Sequence, residues 1–284
     1  MTIEREVALK PDIFFAEHDG VKLVGDLYLP TGSSRAPVLV GVHGGGWQVG
    51  DRKFYQHWGS YLAKHGYAVF AIDYRLMKPG AKTWPGVVYD CKTAVQFVRA
   101  NAEEFGLDPD RIGMIGDSAG AHLSALVALA GDEPLFSNQY RNDPCAATPA
   151  GLKAVIGFYG VYDMVAQWEH DQITRPRDSV TEKLLGCPPM VSRRIFFEAS
   201  PLSYATVDKN GTRFLLIYGR EDDIVDPGTQ SEKFLTALKQ AGFFARTIVV
   251  PSAGHFWSVD PVEEHGSFGA YVGPRLLRFL EAQL

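Results

Sequence analysis

Cysteine is scarce in this sequence: Cys91, Cys145 and Cys187 are the only three in 284 residues. The number is odd and the spacing fits no metal-ligand pattern, which argues against a disulfide scaffold and against a cysteine-based metal centre. It suits thiols kept reduced in the cytoplasm. Basic charge is also short. Lys and Arg total 28 against 33 Asp and Glu, a formal net charge of −5, with no Lys/Arg run. Such a chain is a poor electrostatic match to nucleic acid. A small neutral molecule is the better partner. No apolar run approaches the roughly 20 residues that a membrane-spanning helix needs. Met1–Lys10 carries acidic residues and no apolar core, so it does not read as a secretory leader. Internal repeats and low-complexity tracts are absent as well.

What the chain does have is an ordinary globular composition, 46% hydrophobic and 21% charged. Its length suits one large α/β domain, residues 1–284, able to bury about three quarters of its unfolded surface. Short apolar runs alternate with helical patterns. Ile13–Glu17 and Val21–Leu29 read as an antiparallel pair joined at His18-Asp19-Gly20. Val38–Val42, Tyr67–Ile72, Arg111–Ile115, Ala154–Phe158, Arg213–Tyr218 and Arg246–Val250 read as buried strands. Helices are expected at Tyr55–His65, Val87–Ala100, Ala119–Leu129, Ser231–Gln240 and Pro274–Gln283, and a turn at Asp108-Pro109-Asp110. The alternation implies a mostly parallel sheet of about eight strands with helices on both faces. One stretch breaks the rhythm. Residues 161–210, after the sixth strand, mix charge, proline and aromatics without a clear strand. A connection this long rarely lacks a use, and it is expected to cross the top of the sheet as a partly helical cap.

Gly116-Asp117-Ser118-Ala119-Gly120 lies between an apolar strand and a helix. That context suits a sharp turn that lifts a serine hydroxyl off a strand end onto a helix N-terminus, where developing negative charge is stabilised. His43-Gly44-Gly45-Gly46-Trp47 follows another strand. Acyl transfer builds an oxyanion that needs preorganised N–H donors. The amides of Gly45 and Gly46 are assigned as donors, with Ala119 as the third, and His43 shapes the loop. A serine nucleophile also needs a histidine base held by an acid. Among eight histidines, His255 lies just after the last strand, where loops of parallel sheets bind ligands. His122, one turn after Ser118, reads as structural. The acid is expected after Arg213–Tyr218, in Gly219–Asp226, where Asp222 is preferred, with Asp226 and Asp223 behind it. Ser118, Asp222 and His255 then occur in the order serine, acid, histidine.

With these residues in place, the chain resembles the α/β-hydrolase esterases, most closely the hormone-sensitive-lipase-like and feruloyl-esterase-like groups. The matching segments are HGGGW at 43–47, DYRL at 73–76, DPDRIGMIGDSAG at 108–120, GREDDIV at 219–225 and GH at 254–255. They cover nearly the whole chain from Asp19. The resemblance implies Ser118 as nucleophile, Asp222 as acid, His255 as base and Gly45 and Gly46 in the oxyanion hole. It implies a structural role for Asp73 and Arg75. One departure is the long N-terminal cap of hormone-sensitive-lipase relatives, which has no counterpart here, so cover is expected mainly from 161–210.

The implied chemistry is two-step hydrolysis of a carboxylic ester, with no metal and no organic cofactor. Aromatics near the expected site, Trp47, Trp84, Tyr162, Trp168 and Trp257, are expected to line a pocket for short-acyl or partly aromatic esters. An amide or formamide is the alternative substrate for the same machinery. A non-catalytic ligand receptor is the alternative of a different class, disfavoured because all three triad positions are filled. The last helix and the exposed side of the sheet are where a second copy would pack in a homodimer.

Overall fold

A computed structural model describes residues 4–78 and 80–284. Eight strands form a single sheet in the order β1-β2-β4-β3-β5-β6-β7-β8. They are β1 Val7–His18, β2 Val21–Pro30, β3 Ala36–Val42, β4 Ala68–Ile72, β5 Leu107–Asp117, β6 Ala154–Phe158, β7 Arg213–Gly219 and β8 Ala245–Val250. The first two pair antiparallel, as do β2 and β4, and every later pairing is parallel. The β1–β2 hairpin turns at Asp19 (φ 52°) and Gly20 (φ 78°). Two successive positive φ values match the right-handed twist of the flanking strands, and Asp-Gly adopts them readily.

Burial on both faces explains why the strands are continuous apolar runs and do not alternate with polar residues. In β3, Val38, Val40 and Val42 face one core, together with Val88, Val95, Leu123 and Leu126. Leu39 faces the other, with Trp58, Leu62, Leu276 and Leu280. The helices that supply these layers are α1 Gln56–Lys64, α2 Gly86–Ala100, α3 Ala102–Phe105, α4 Ala119–Ala130 and α5 Pro134–Ser137. They are followed by α6 Met164–Thr174, α7 Val180–Leu185, α8 Arg193–Glu198, α9 Lys233–Gln240 and α10 Phe268–Gln283. In α4 the buried side runs all round the helix, since eleven of its twelve residues are buried. This accounts for a sequence that is largely small or apolar, His122 and Ser124 being its polar members.

Two expectations from sequence are corrected. The turn at Asp108-Pro109-Asp110 is part of β5, which starts at Leu107 and pairs it with Ala36. The register shifts between Ala36 and Val38, and such an irregularity is where a sheet tolerates proline. The last helix does not begin at Pro274. It begins six residues earlier, capped by the Ser267 hydroxyl accepting from the Ala270 amide at 3.0 Å, and Pro274 lies inside it.

Candidate active site

The residues singled out from sequence converge at the carboxyl ends of β3, β5, β7 and β8. Ser118 directly follows β5 and opens α4. Its backbone sits at φ 51°, ψ −115°, a region costly for a residue with a side chain. The surrounding packing holds it there. The Ser118 amide donates to Phe158 O at 2.8 Å, which ties the elbow to β6. A Cβ at Gly120 would come within 1.9 Å of Val42 O, so only glycine lets the helix approach β3 this closely.

His255 Nε2 lies 3.0 Å from Ser118 Oγ, and His255 Nδ1 lies 2.7 Å from Asp222 Oδ2. The other oxygen of Asp222 accepts the amides of Ile224 (3.0 Å) and Val225 (2.9 Å). With both carboxylate oxygens accepting, Nδ1 carries the proton toward Asp222 and Nε2 is left to accept from the serine hydroxyl. The competing acids serve elsewhere. Asp226 accepts the amide and the hydroxyl of Thr229, each at 2.8 Å, and Asp223 is exposed, its backbone carbonyl accepting from His170 Nε2 at 2.7 Å.

The glycine loop sits beside the serine. Gly45 has φ 104° and Gly46 φ 59°. A Cβ at Gly45 would lie 2.1 Å from Val49 O. Both glycines, with Ala119, Ser118 and His255, line a cleft of about 220 Å³. The Ala119 amide belongs to the first turn of α4, where no intrahelical acceptor exists. Beneath the loop, the buried Asp117 carboxyl rests against Gly44, whose Cβ position lies 2.3 Å from Asp117 Oδ2. Burial pushes its pKa up to about 7, opposed by the nearby Gly44 amide and Tyr55 hydroxyl. His43 Nδ1 lies 2.7 Å from Gly44 O, and burial lowers its pKa. An imidazole held neutral in this way braces the glycine loop. His122 is fully buried between Trp47 Nε1 (3.2 Å) and Ala199 O (2.8 Å). Burial brings its pKa down to about 4, as expected of a neutral structural histidine.

The aromatic residues expected to line the cleft are placed differently. Trp47 borders it, but its indole is buried and donates to His122. The other four are not among the cleft-lining residues. Trp84 packs edge-on against Phe136, Tyr162 stacks on Phe234, and Trp257 packs against Phe158 and Tyr159. Trp168 donates to Glu182. Large aromatics fill the layers beneath the loops, where their area is removed from water. The cleft is instead lined by short aliphatic side chains, Val49, Val161, Val180, Ile224 and Val225, together with the polar Gln48, Gln167, Arg175 and Asp178. Phe256 completes it. The sequence points to Trp168 as the lining residue from α6, but its neighbour Gln167 lines the cleft instead, because nothing local shows which face of that helix meets the sheet. Gln167 and His170 of α6 bond the carbonyls of Ile224 and Asp223, so the helix is fastened to the acid loop itself.

No helix among the described residues is long and apolar enough to cross a membrane. The serine elbow, the histidine–acid pair and the glycine loop on a mostly parallel sheet have counterparts in known proteins. Esterase LipC of Mycobacterium tuberculosis is 34% identical over 230 residues, 78% of this chain and 53% of the relative. The probable carboxylic ester hydrolase LipM of the same organism is 32% identical over 217 residues, 72% of this chain and 45% of the relative. This chain thus spans about half the length of these curated relatives. A truncated carbohydrate esterase from gut microbiota superposes with a TM-score of 0.79 at 23% identity, covering 99% of this chain and 97% of that one, which supports the α/β-hydrolase fold. The family model BD-FAE matches residues 25–238. The chain belongs to the BD-FAE family.

Proposed function

We propose that this chain is a serine carboxylic ester hydrolase acting on short-acyl esters through an acyl-enzyme. The observation that carries the reading is the continuous relay from Ser118 Oγ to His255 Nε2 at 3.0 Å and from His255 Nδ1 to Asp222 Oδ2 at 2.7 Å, opening on the cleft. The esterase names of the relatives point the same way.

In this mechanism Ser118 Oγ attacks the ester carbonyl as His255 Nε2 takes its proton. Asp222 holds the imidazole in the required tautomer and stabilises its charged form. The amides of Gly45, Gly46 and Ala119 receive the oxyanion; removal of one such donor typically costs about 3 kcal/mol. His255 returns the proton to the departing alcohol. Water, deprotonated by His255, then cleaves the acyl-enzyme. Residues 161–210 serve as the cap. A cleft of about 220 Å³ walled by valine and isoleucine suits a short acyl chain better than a long one, and its lining gives little support to an aromatic acyl group.

Hydrolysis of para-nitrophenyl esters from acetate to palmitate, by wild type and Ser118→Ala in parallel, tests this. The expected result is activity peaking at short chains and lost in the variant by several orders of magnitude. Equal rates from the two proteins would remove Ser118 from the mechanism.

A further inference from the structure

The α6 side of the cleft has a hydrogen-bonding requirement that the protein does not meet. Gln167 lines the cleft and is 1% exposed. Its Nε2 donates to Asp171 Oδ1 at 2.9 Å and to Ile224 O at 3.0 Å. Both partners are acceptors, so the amide cannot be turned over: its oxygen would then face two acceptors. The orientation leaves Oε1 buried without a donor, an arrangement that native structures seldom leave unmet.

The neighbours fix this unmet acceptor in place. Asp171 is fully buried, and its Oδ1 also accepts from Nε of Arg175 at 2.9 Å, with Nη2 of the same guanidinium in ion-pair contact at 2.9 Å. Arg175 lines the cleft too. A guanidinium has five N–H donors, and this engagement leaves some of them free of Asp171. On the α6 side, Gln167 Oε1 and the neighbouring Asp171 Oδ2 are thus buried acceptors without a donor, and Arg175, which lines the same cleft, keeps N–H donors that Asp171 does not take. A hydroxyl group matches both, because it donates one hydrogen bond and accepts others. An alkyl group matches neither, and a carboxylate cannot donate to Gln167.

We propose that the α6 side of the cleft is a subsite for a hydroxyl group of the substrate, with Gln167 Oε1 as its acceptor. The substrate class becomes short-acyl esters bearing a hydroxyl on the part of the molecule that reaches α6. This rests on the ester-hydrolase reading of the same cleft.

Two near-isosteric pairs test it, one for each side of the ester bond. They are para-nitrophenyl β-hydroxybutyrate against para-nitrophenyl isovalerate, and ethylene glycol monobutyrate against propyl butyrate. A site built to bond a hydroxyl discriminates strongly against the analogue lacking it, so at least one pair is expected to favour the hydroxylated ester by about tenfold or more in kcat/KM. In Gln167→Met that ratio should fall to within about twofold of one, the hydrogen bond being lost. Ratios at or below one in both pairs for wild type would overturn the subsite, and this needs no variant to fold. A preference that survives intact in Gln167→Met would overturn Gln167 as the acceptor. Para-nitrophenyl acetate, run on the same preparation, separates the two levels. Its hydrolysis without any hydroxyl preference sinks only the subsite, whereas no hydrolysis of any ester sinks the hydrolase reading beneath it.

Discussion

The carbonyl of Ile224 accepts a hydrogen bond from Gln167 Nε2 at 3.0 Å, while the amide of Ile224 donates to Asp222 Oδ1 at 3.0 Å. One residue therefore joins α6 to the carboxylate that pairs with His255. Val225 adds a second amide to the same oxygen at 2.9 Å. The position of Asp222 is set by backbone donors, and its remaining oxygen is committed to His255.

Replacement of Asp222 by Asn should lower kcat by about ten-thousandfold, because an amide that donates to Nδ1 stabilises the wrong tautomer. Asp226→Asn should stay close to wild type, since that carboxylate bonds Thr229. Steady-state kinetics of the two variants check the choice. A larger loss in the Asp226 variant would reassign the acid.

Gly45→Ala should reduce kcat by about a hundredfold or more with a smaller effect on KM, since an oxyanion donor acts chiefly in the transition state. The physical cause is specific: at φ 104° a Cβ would meet Val49 O at 2.1 Å, so the loop must shift. Unchanged kcat would take the Gly45 amide out of the oxyanion hole.

His18 gives a pH-dependent contribution to stability. It is fully buried, with Nδ1 2.6 Å from Asp90 and Nε2 2.7 Å from Asp143, and Tyr140 stacks on its ring. Arg75 bonds the same Asp90 and also Asp19. Burial lowers the His18 pKa, but the hydrogen bonds and charges of the two carboxylates outweigh it and the net shift is upward. A raised pKa means that the folded state binds the extra proton. The stabilisation is complete below the ordinary value of 6.5 and is lost as pH rises through the raised value. In His18→Gln, unfolding by denaturant should show a loss of about 2 kcal/mol at acid pH. The gap to wild type should narrow as pH rises above neutrality. A gap that widened with pH would contradict the assignment.

Much of this was legible in the sequence, for physical reasons that differ by element. The strands of the parallel sheet are buried on both faces, so Val38–Val42 and Ala154–Phe158 stand out as apolar runs. The serine elbow is readable because its strand, tight turn and helix are contiguous. The four aromatics were misplaced because proximity to a loop in sequence does not say on which side of the sheet a ring packs. Trp84 and Tyr162 go to the core for their area, not to the cleft. Gln167 and Arg175 carry no local signal at all: their place in the wall depends on how α6 docks against the loop after β7. Pro109 and Pro274 read as boundaries in the sequence, yet one sits at a register shift of β5 and the other within α10.

The proposed mechanism requires a covalent bond to one atom, Ser118 Oγ. Intact-mass and peptide-mapping spectrometry of the protein treated with an alkyl fluorophosphonate is the most direct measurement. A single adduct on Ser118, absent in Ser118→Ala and strongly slowed in His255→Ala, is the predicted result. Labelling that is equal in wild type and Ser118→Ala, or that maps to another residue, would contradict it.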